Sequence, residues 1–151
     1  LFRLRCYSMA SDPSAIISAI ASAPDRETQS RMLHDGARAL LVDPAGGSHL
    51  AIRTAEAGDS DELEAAAALM SRVLDEARMA QENGAPEGAA LIDAVGAALS
   101  RHDAATPFAP TLRLRLAQIY ARAGLAPPRI SSRRSARRRI SPGCRRRSLL
   151  R

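Results

Sequence analysis

Between Asp59 and Asn83 apolar residues recur at intervals of three and four: Leu63, Ala66, Ala67, Met70, Val73, Leu74, Ala77 and Ala80, with Glu64, Arg72, Asp75, Arg78 and Glu82 around the other side. That period lines up one face of a helix and would scatter the same side chains over both faces of a strand. Asp59 with Glu62 three residues on has the form of a capping box, and Asn83-Gly84 supplies a stop. The pattern therefore predicts a long helix over 59–83 and makes helix-on-helix packing the fold class to test on the rest of the chain.

The flanking segments follow the same grammar. Asp12-Pro13 reads as an N-cap followed by proline in the first turn, with Ile16, Ile17 and Ile20 at helical spacing to about residue 22. Asp25 caps a second helix carrying Met32, Leu33, Ala37, Leu40 and Leu41 up to Asp43-Pro44. Residues 43–48, with Gly46-Gly47, read as a turn-rich loop, and 49–57 fits a short helix or a strand. Pro86 and Glu87 open a helix with Leu91, Ile92, Val95, Ala98, Leu99 and His102 on one face, joined to its predecessor by so short a linker that the two pack antiparallel. After Thr106-Pro107-Phe108-Ala109-Pro110, Thr111 caps a last helix carrying Leu112, Leu116, Ile119 and Ala123 up to Gly124. The expected fold is all-α: a small bundle of about five short helices over 9–126, with a basic C-terminal tail, 127–151, outside it.

Composition limits what such a bundle can bury. From Met9 to Ala126 there are 28 large apolar residues in 118, and much of the remaining apolar content is alanine. Each large side chain supplies about 1.5 to 3 kcal/mol when fully buried, against an ordering cost of about 1 to 2 kcal/mol for every residue. A thin core and self-association to hide more surface are expected. Leu69 and Met79, at the margins of the long stripe, and Leu114, off the last helix's apolar face, are the expected partner surface, for a second copy or for another helical protein.

The net charge of +6 averages regions of opposite sign. Residues 9–126 hold ten Arg against all sixteen acids, whereas 127–151 holds ten Arg and no acid. A polyanion-binding role therefore belongs to the tail, through Arg133, Arg134, Arg137, Arg138, Arg139, Arg145, Arg146 and Arg147. Without aromatic residues to stack on bases, that binding to nucleic acid or anionic lipid is expected to be weak, non-specific and salt-dependent. Every basic residue is Arg, the mark of a GC-rich coding sequence of a kind common in bacteria. The Arg-rich, acid-free segments 1–8 and 127–151 have the composition such a sequence gives out of frame, so Met9 is an expected start.

No set of residues points to a catalytic activity, a cofactor, a metal or a small-molecule substrate. Gly-x-Ser-x-Gly, phosphate-loop, dinucleotide and His-Glu-x-x-His motifs are missing. His34, His49 and His102 fall in separate elements, and the neighbours His34-Asp35 and His102-Asp103 point about 100° apart on a helix. Cys6 and Cys144 define neither a disulfide framework nor a metal site. No segment approaches a membrane span or a signal peptide, so a cytoplasmic location is expected.

Two stretches resemble known families. His49 to Val73, which contains Leu-Ala-Ile-Arg-Thr-Ala-Glu-Ala-Gly-Asp-Ser-Asp-Glu-Leu, resembles the first strand and helix of GNAT acetyltransferases, which would imply a strand there and acyl-CoA chemistry. No Arg/Gln-x-x-Gly-x-Gly/Ala segment follows it. Leu116 to Gly124 resembles the first helix of a tetratricopeptide repeat, in half a repeat. The expected function is a non-catalytic interaction or regulatory module, with a nucleic-acid accessory protein second and an acyltransferase third.

Overall fold

The computed structural model describes residues 12–57 and 61–130, and within them the chain is all-α. Six helices follow one another: α1 (Pro13–Ala21), α2 (Arg26–Leu41), α3 (Pro44–Glu56), α4 (Asp61–Glu82), α5 (Pro86–Ala105) and α6 (Pro110–Arg122). Aspartates start the first three. The carboxylates of Asp12, Asp25 and Asp43 accept from the backbone N–H of Ser14, Thr28 and Gly46 at 3.1, 2.7 and 3.1 Å, satisfying donors that a helix start leaves without an internal partner. The Thr28 backbone N–H and hydroxyl hold the Asp25 carboxyl below the usual carboxylate range. The capping box expected at Asp59 lies outside the described residues.

Gly84 and Gly124, with φ of +81° and +70°, end α4 and α6 in the left-handed conformation. Behind each, a backbone N–H reaches back to the last turn, Ala85 to Ala80 O and Leu125 to Tyr120 O, both at 2.9 Å.

Every other helix packs on α4. Its buried residues are Ala65, Ala66, Ala67, Leu69, Met70, Val73, Leu74 and Ala77, a belt wider than the stripe in the sequence. Leu69 is fully buried, which corrects its expected place at the surface. The cause is tertiary. α1 and α2 close over that side of α4, so tightly that a Cβ on Gly36 would stand 2.8 Å from Ile16 Cγ2 and 3.3 Å from Leu69 Cδ1.

The second correction concerns 43–57. The expected loop at 43–48 is the first turn of α3, and 49–57 continues it as helix to Glu56, so the strand implied by the acetyltransferase resemblance is replaced by helix. Gly46 and Gly47 are buried inside α3. A Cβ on Gly47 would overlap Leu91 Cδ1 and stand 3.3 Å from Val95 Cγ2. Here glycine brings two helix backbones together, a role that in sequence looks like a turn signal. Ser48 Oγ donates across the same contact to Ala94 O at 3.4 Å. Thr54, fully buried, donates to Leu50 O at 2.8 Å.

α4 and α5 form the expected antiparallel pair, with Gly88 against the backbone of Ala77 and Gln81. α6 runs in the same direction as α4: Arg115 reaches Glu64 near the start of α4, and Gly124 lies beside Arg78 near its end. The turn into α6 is tied by Asp103. This carboxylate, 2% exposed, accepts from Phe108 N at 2.9 Å and from Arg113 Nη2 at 3.4 Å. Beyond α6 the chain does not leave the domain at Pro127 as expected. Leu125, Pro128 and Ile130 are half-buried, and Leu125 and Ile130 pack on the core.

Candidate interaction surface

Because α6 lies beside α4, their shared edge is open along a groove of about 390 Å³. Leu33, Ala67 and Ile119 line it with Arg72, Asp75, Arg115 and Arg122. Its arginines are partly spoken for: Arg115 pairs with Glu64, and Arg72 pairs with Glu76 at 3.5 Å and reaches His34 Nδ1 at 3.2 Å. A guanidinium only donates, so in this contact Nδ1 of His34 is placed to accept. These pairs are solvent-exposed and contribute about 0 to 1 kcal/mol each. The Arg115–Glu64 pair also lines a second recess, of about 370 Å³, walled by Leu63, Phe108 and Leu112. His102 is there too, its ring centroid 5.5 Å from that of Phe108. This places His102 in a packing role, and its sequence neighbour Asp103 faces the Phe108 backbone and Arg113 instead.

On its far side α6 meets the segment 125–130 less completely. A hollow of about 210 Å³ separates Leu116 and Ala117 from Pro127, Pro128 and Ile130. Across Pro128 lies a recess of about 400 Å³ that reaches Tyr120. The Tyr120 hydroxyl is buried without a hydrogen-bond partner among the described residues, and burial pushes its pKa up to about 12.

Of the residues expected to form a partner surface, the structure leaves two outside and does not join them. Leu114 is 62% exposed and Met79 is 54% exposed. Leu114 precedes Arg115, at the Glu64 end of the groove. Met79 stands fifteen residues beyond Glu64 on α4, roughly 22 Å at helical rise. With Leu69 inside, the three make no single patch. The tail arginines Arg133, Arg134, Arg137, Arg138, Arg139, Arg145, Arg146 and Arg147 lie outside the described residues. Among the described residues no group of three His, Cys, Asp or Glu could hold a metal ion, and no helix is long and apolar enough to cross a membrane.

Sequence reasoning missed Asp103, Tyr120 and the hollow beside Ala117. The first had a signal: an acid in the last turn of a helix, before a Thr-Pro-Phe connector whose N–H groups need acceptors. The hollow had none, since it depends on where 125–130 lies.

Residues 11–128, nearly the whole described fold, match the family described as the uncharacterised protein y4lR N-terminal domain. Over 65 residues the chain is 45% identical to the uncharacterised protein y4lR of Sinorhizobium fredii, a stretch that makes up 43% of this chain and 12% of that protein. No solved structure matches the chain. With the matched segment running from before α1 to Pro128, beyond the end of α6, this protein belongs to the y4lR N-terminal domain family.

Proposed function

We propose that this domain is a non-catalytic interaction or regulatory module that works by presenting helical surface to a protein partner. The observation that supports the reading best is the match over 11–128 to an N-terminal domain, in a family whose relative y4lR is several times longer than the matched stretch. A helical unit at the front of a longer chain, with an open groove between α4 and α6 and with Leu114 and Met79 exposed on those two helices, suits docking or regulation of the domains carried behind it. Leu114 and Met79 offer separate apolar points to which a helical partner or a second copy could dock.

Sedimentation equilibrium of the full chain across the micromolar range, together with a thermal-shift series against acyl-CoA, tests the reading. Concentration-dependent association that Leu114→Ser or Met79→Ser abolishes supports it. A strict monomer stabilised by acyl-CoA overturns it in favour of the acyltransferase alternative.

A second reading, a nucleic-acid accessory protein, draws on one observation: no acid occurs from Ala104 to Arg151, while 13 arginines do. A gel shift that fades steeply with salt and vanishes on removal of 131–151 supports that reading; indifference to the tail overturns it.

A further inference from the structure

The outer face of α6 combines three features that fit one kind of partner. First, Leu114, Ala117 and Ala121 are all exposed and, at 100° per residue, fall within about 60° of arc. They form an apolar seam whose two alanines, four residues apart, let another helix approach closely. Second, the seam borders the hollow of about 210 Å³ between Ala117 and Pro127, Pro128 and Ile130, which has room for one large side chain from outside. Third, the charge carried by α6 and the segment after it has one sign, the acids nearby, Glu64, Asp75 and Asp93, belonging to α4 and α5. From Ala104 to Ile130 the chain holds four arginines and no acid. Arg113 and Arg115 are neutralised by Asp103 and Glu64. Arg122, on the α4 side of the seam, and Arg129, in the segment on its other side, are exposed and make no ion pair among the described residues.

We propose that this face of α6 seats an acidic amphipathic helix, which lays its apolar stripe along Leu114, Ala117 and Ala121, inserts one large side chain into the hollow, and sets carboxylates against Arg122 and Arg129. The proposal rests on the interaction-module reading and adds the surface and the chemistry of the partner. Burial of Leu114 and filling of the hollow supply the apolar gain, and the free guanidinium groups select an acidic over a basic helix and favour its encounter. The helix comes from a separate protein partner, since segment 131–151, whose charged residues are all Arg, has the wrong charge.

The test uses the full chain and a synthetic amphipathic peptide of Leu, Phe, Glu and Ala, with a counterpart carrying Lys for every Glu. Binding is read by fluorescence anisotropy, and its place by the methyl resonances of Leu114, Ala117, Ala121 and Met79. The acidic peptide is expected to bind, to shift the three α6 methyls, and to weaken with added salt, while the Lys peptide leaves them unmoved. Ala117→Arg adds positive charge but blocks the hollow, so it should weaken the acidic peptide about tenfold or more, with the thermal midpoint unchanged because position 117 is exposed. Unchanged or tighter binding to that variant would mean that the peptide sits on the tail arginines, and would overturn the proposal. So would self-association without peptide that Leu114→Arg abolishes, because the occupant is then a second copy. Shifts centred on Met79 would overturn the α6 site while leaving the interaction-module reading intact. Silence of every methyl, with an acyl-CoA response in the thermal-shift series, removes that reading as well.

Discussion

Two contacts made from equally small residues end differently in this molecule. Where α3 crosses α5, Gly47 is buried, Leu91 and Val95 fill the space above it, and no room is left for one more carbon. Where α6 meets the segment 125–130, Ala117 and Ala121 stand open, two recesses flank Pro128, and Tyr120 keeps a buried hydroxyl without a partner among the described residues. Small residues let helices approach but supply little area of their own. They help stability only where large side chains from a neighbour close over them. The first contact has Leu91 and Val95; the hollow beside Ala117 has only Pro127, Pro128 and Ile130 across from it. The closed side carries the fold, and the open side is free for a partner.

The largest expected effect tests the closed side. Leu69→Asp places a charge between α1, α2 and α4 and should abolish cooperative unfolding, as should Met70→Asp, both read by circular dichroism in urea. Retention of a normal transition by Leu69→Asp would mean that α1 and α2 do not close over α4.

Alkaline titration addresses the open side. Tyr120 is neutral below its unfolded pKa near 10, so its burial is tolerated there. Between pH 10 and about 12 the unfolded chain releases this proton and the folded one retains it. The unfolded state then binds fewer protons, and stability falls with rising pH by on the order of 2 to 3 kcal/mol. Tyr120→Phe should remove that part of the alkaline loss without weakening the domain at pH 7, since it deletes a hydroxyl that has no partner. Tyrosinate absorbance supplies the titration, and a Tyr120 that ionises near 10 would show that water reaches it.

A pair of substitutions in α5 sharpens the comparison through opposite signs. Gly88→Ala pushes a methyl into the backbone of Ala77 and Gln81 and should destabilise by about 1 to 3 kcal/mol despite the gain in helix propensity. Gly96→Ala meets only Pro128 Cβ, at 3.7 Å, and should stabilise by roughly 0.5 to 1 kcal/mol. Urea midpoints at constant slope decide both. Equal signs would break the contrast between the two sides.

The smallest effects belong to the exposed side chains. Leu114→Ser and Met79→Ser should each change monomer stability by less than about 0.5 kcal/mol. A larger loss at Leu114 in dilute chain would place it in the core and remove it from the proposed seam.

Helices whose ends are written locally were legible from the residues alone. Aspartate caps, prolines in first turns, Gly84 and Gly124 at the stops, and the period of three to four along α4 act over a few residues, so their meaning survives without the rest of the chain. Leu114 was legible as outside for the same reason, because it lies off its helix's apolar face. Other features took their meaning from packing. Gly46-Gly47 is read as a turn until Leu91 and Val95 are placed above it. Leu69 is marginal until α1 and α2 cover it. The seam of Ala117 and Ala121 gains its hollow from where 125–130 comes to lie. In each case the deciding neighbour is dozens of residues away or in a segment without periodicity, and the energy that settles the matter comes from packing across that distance, which no local pattern encodes.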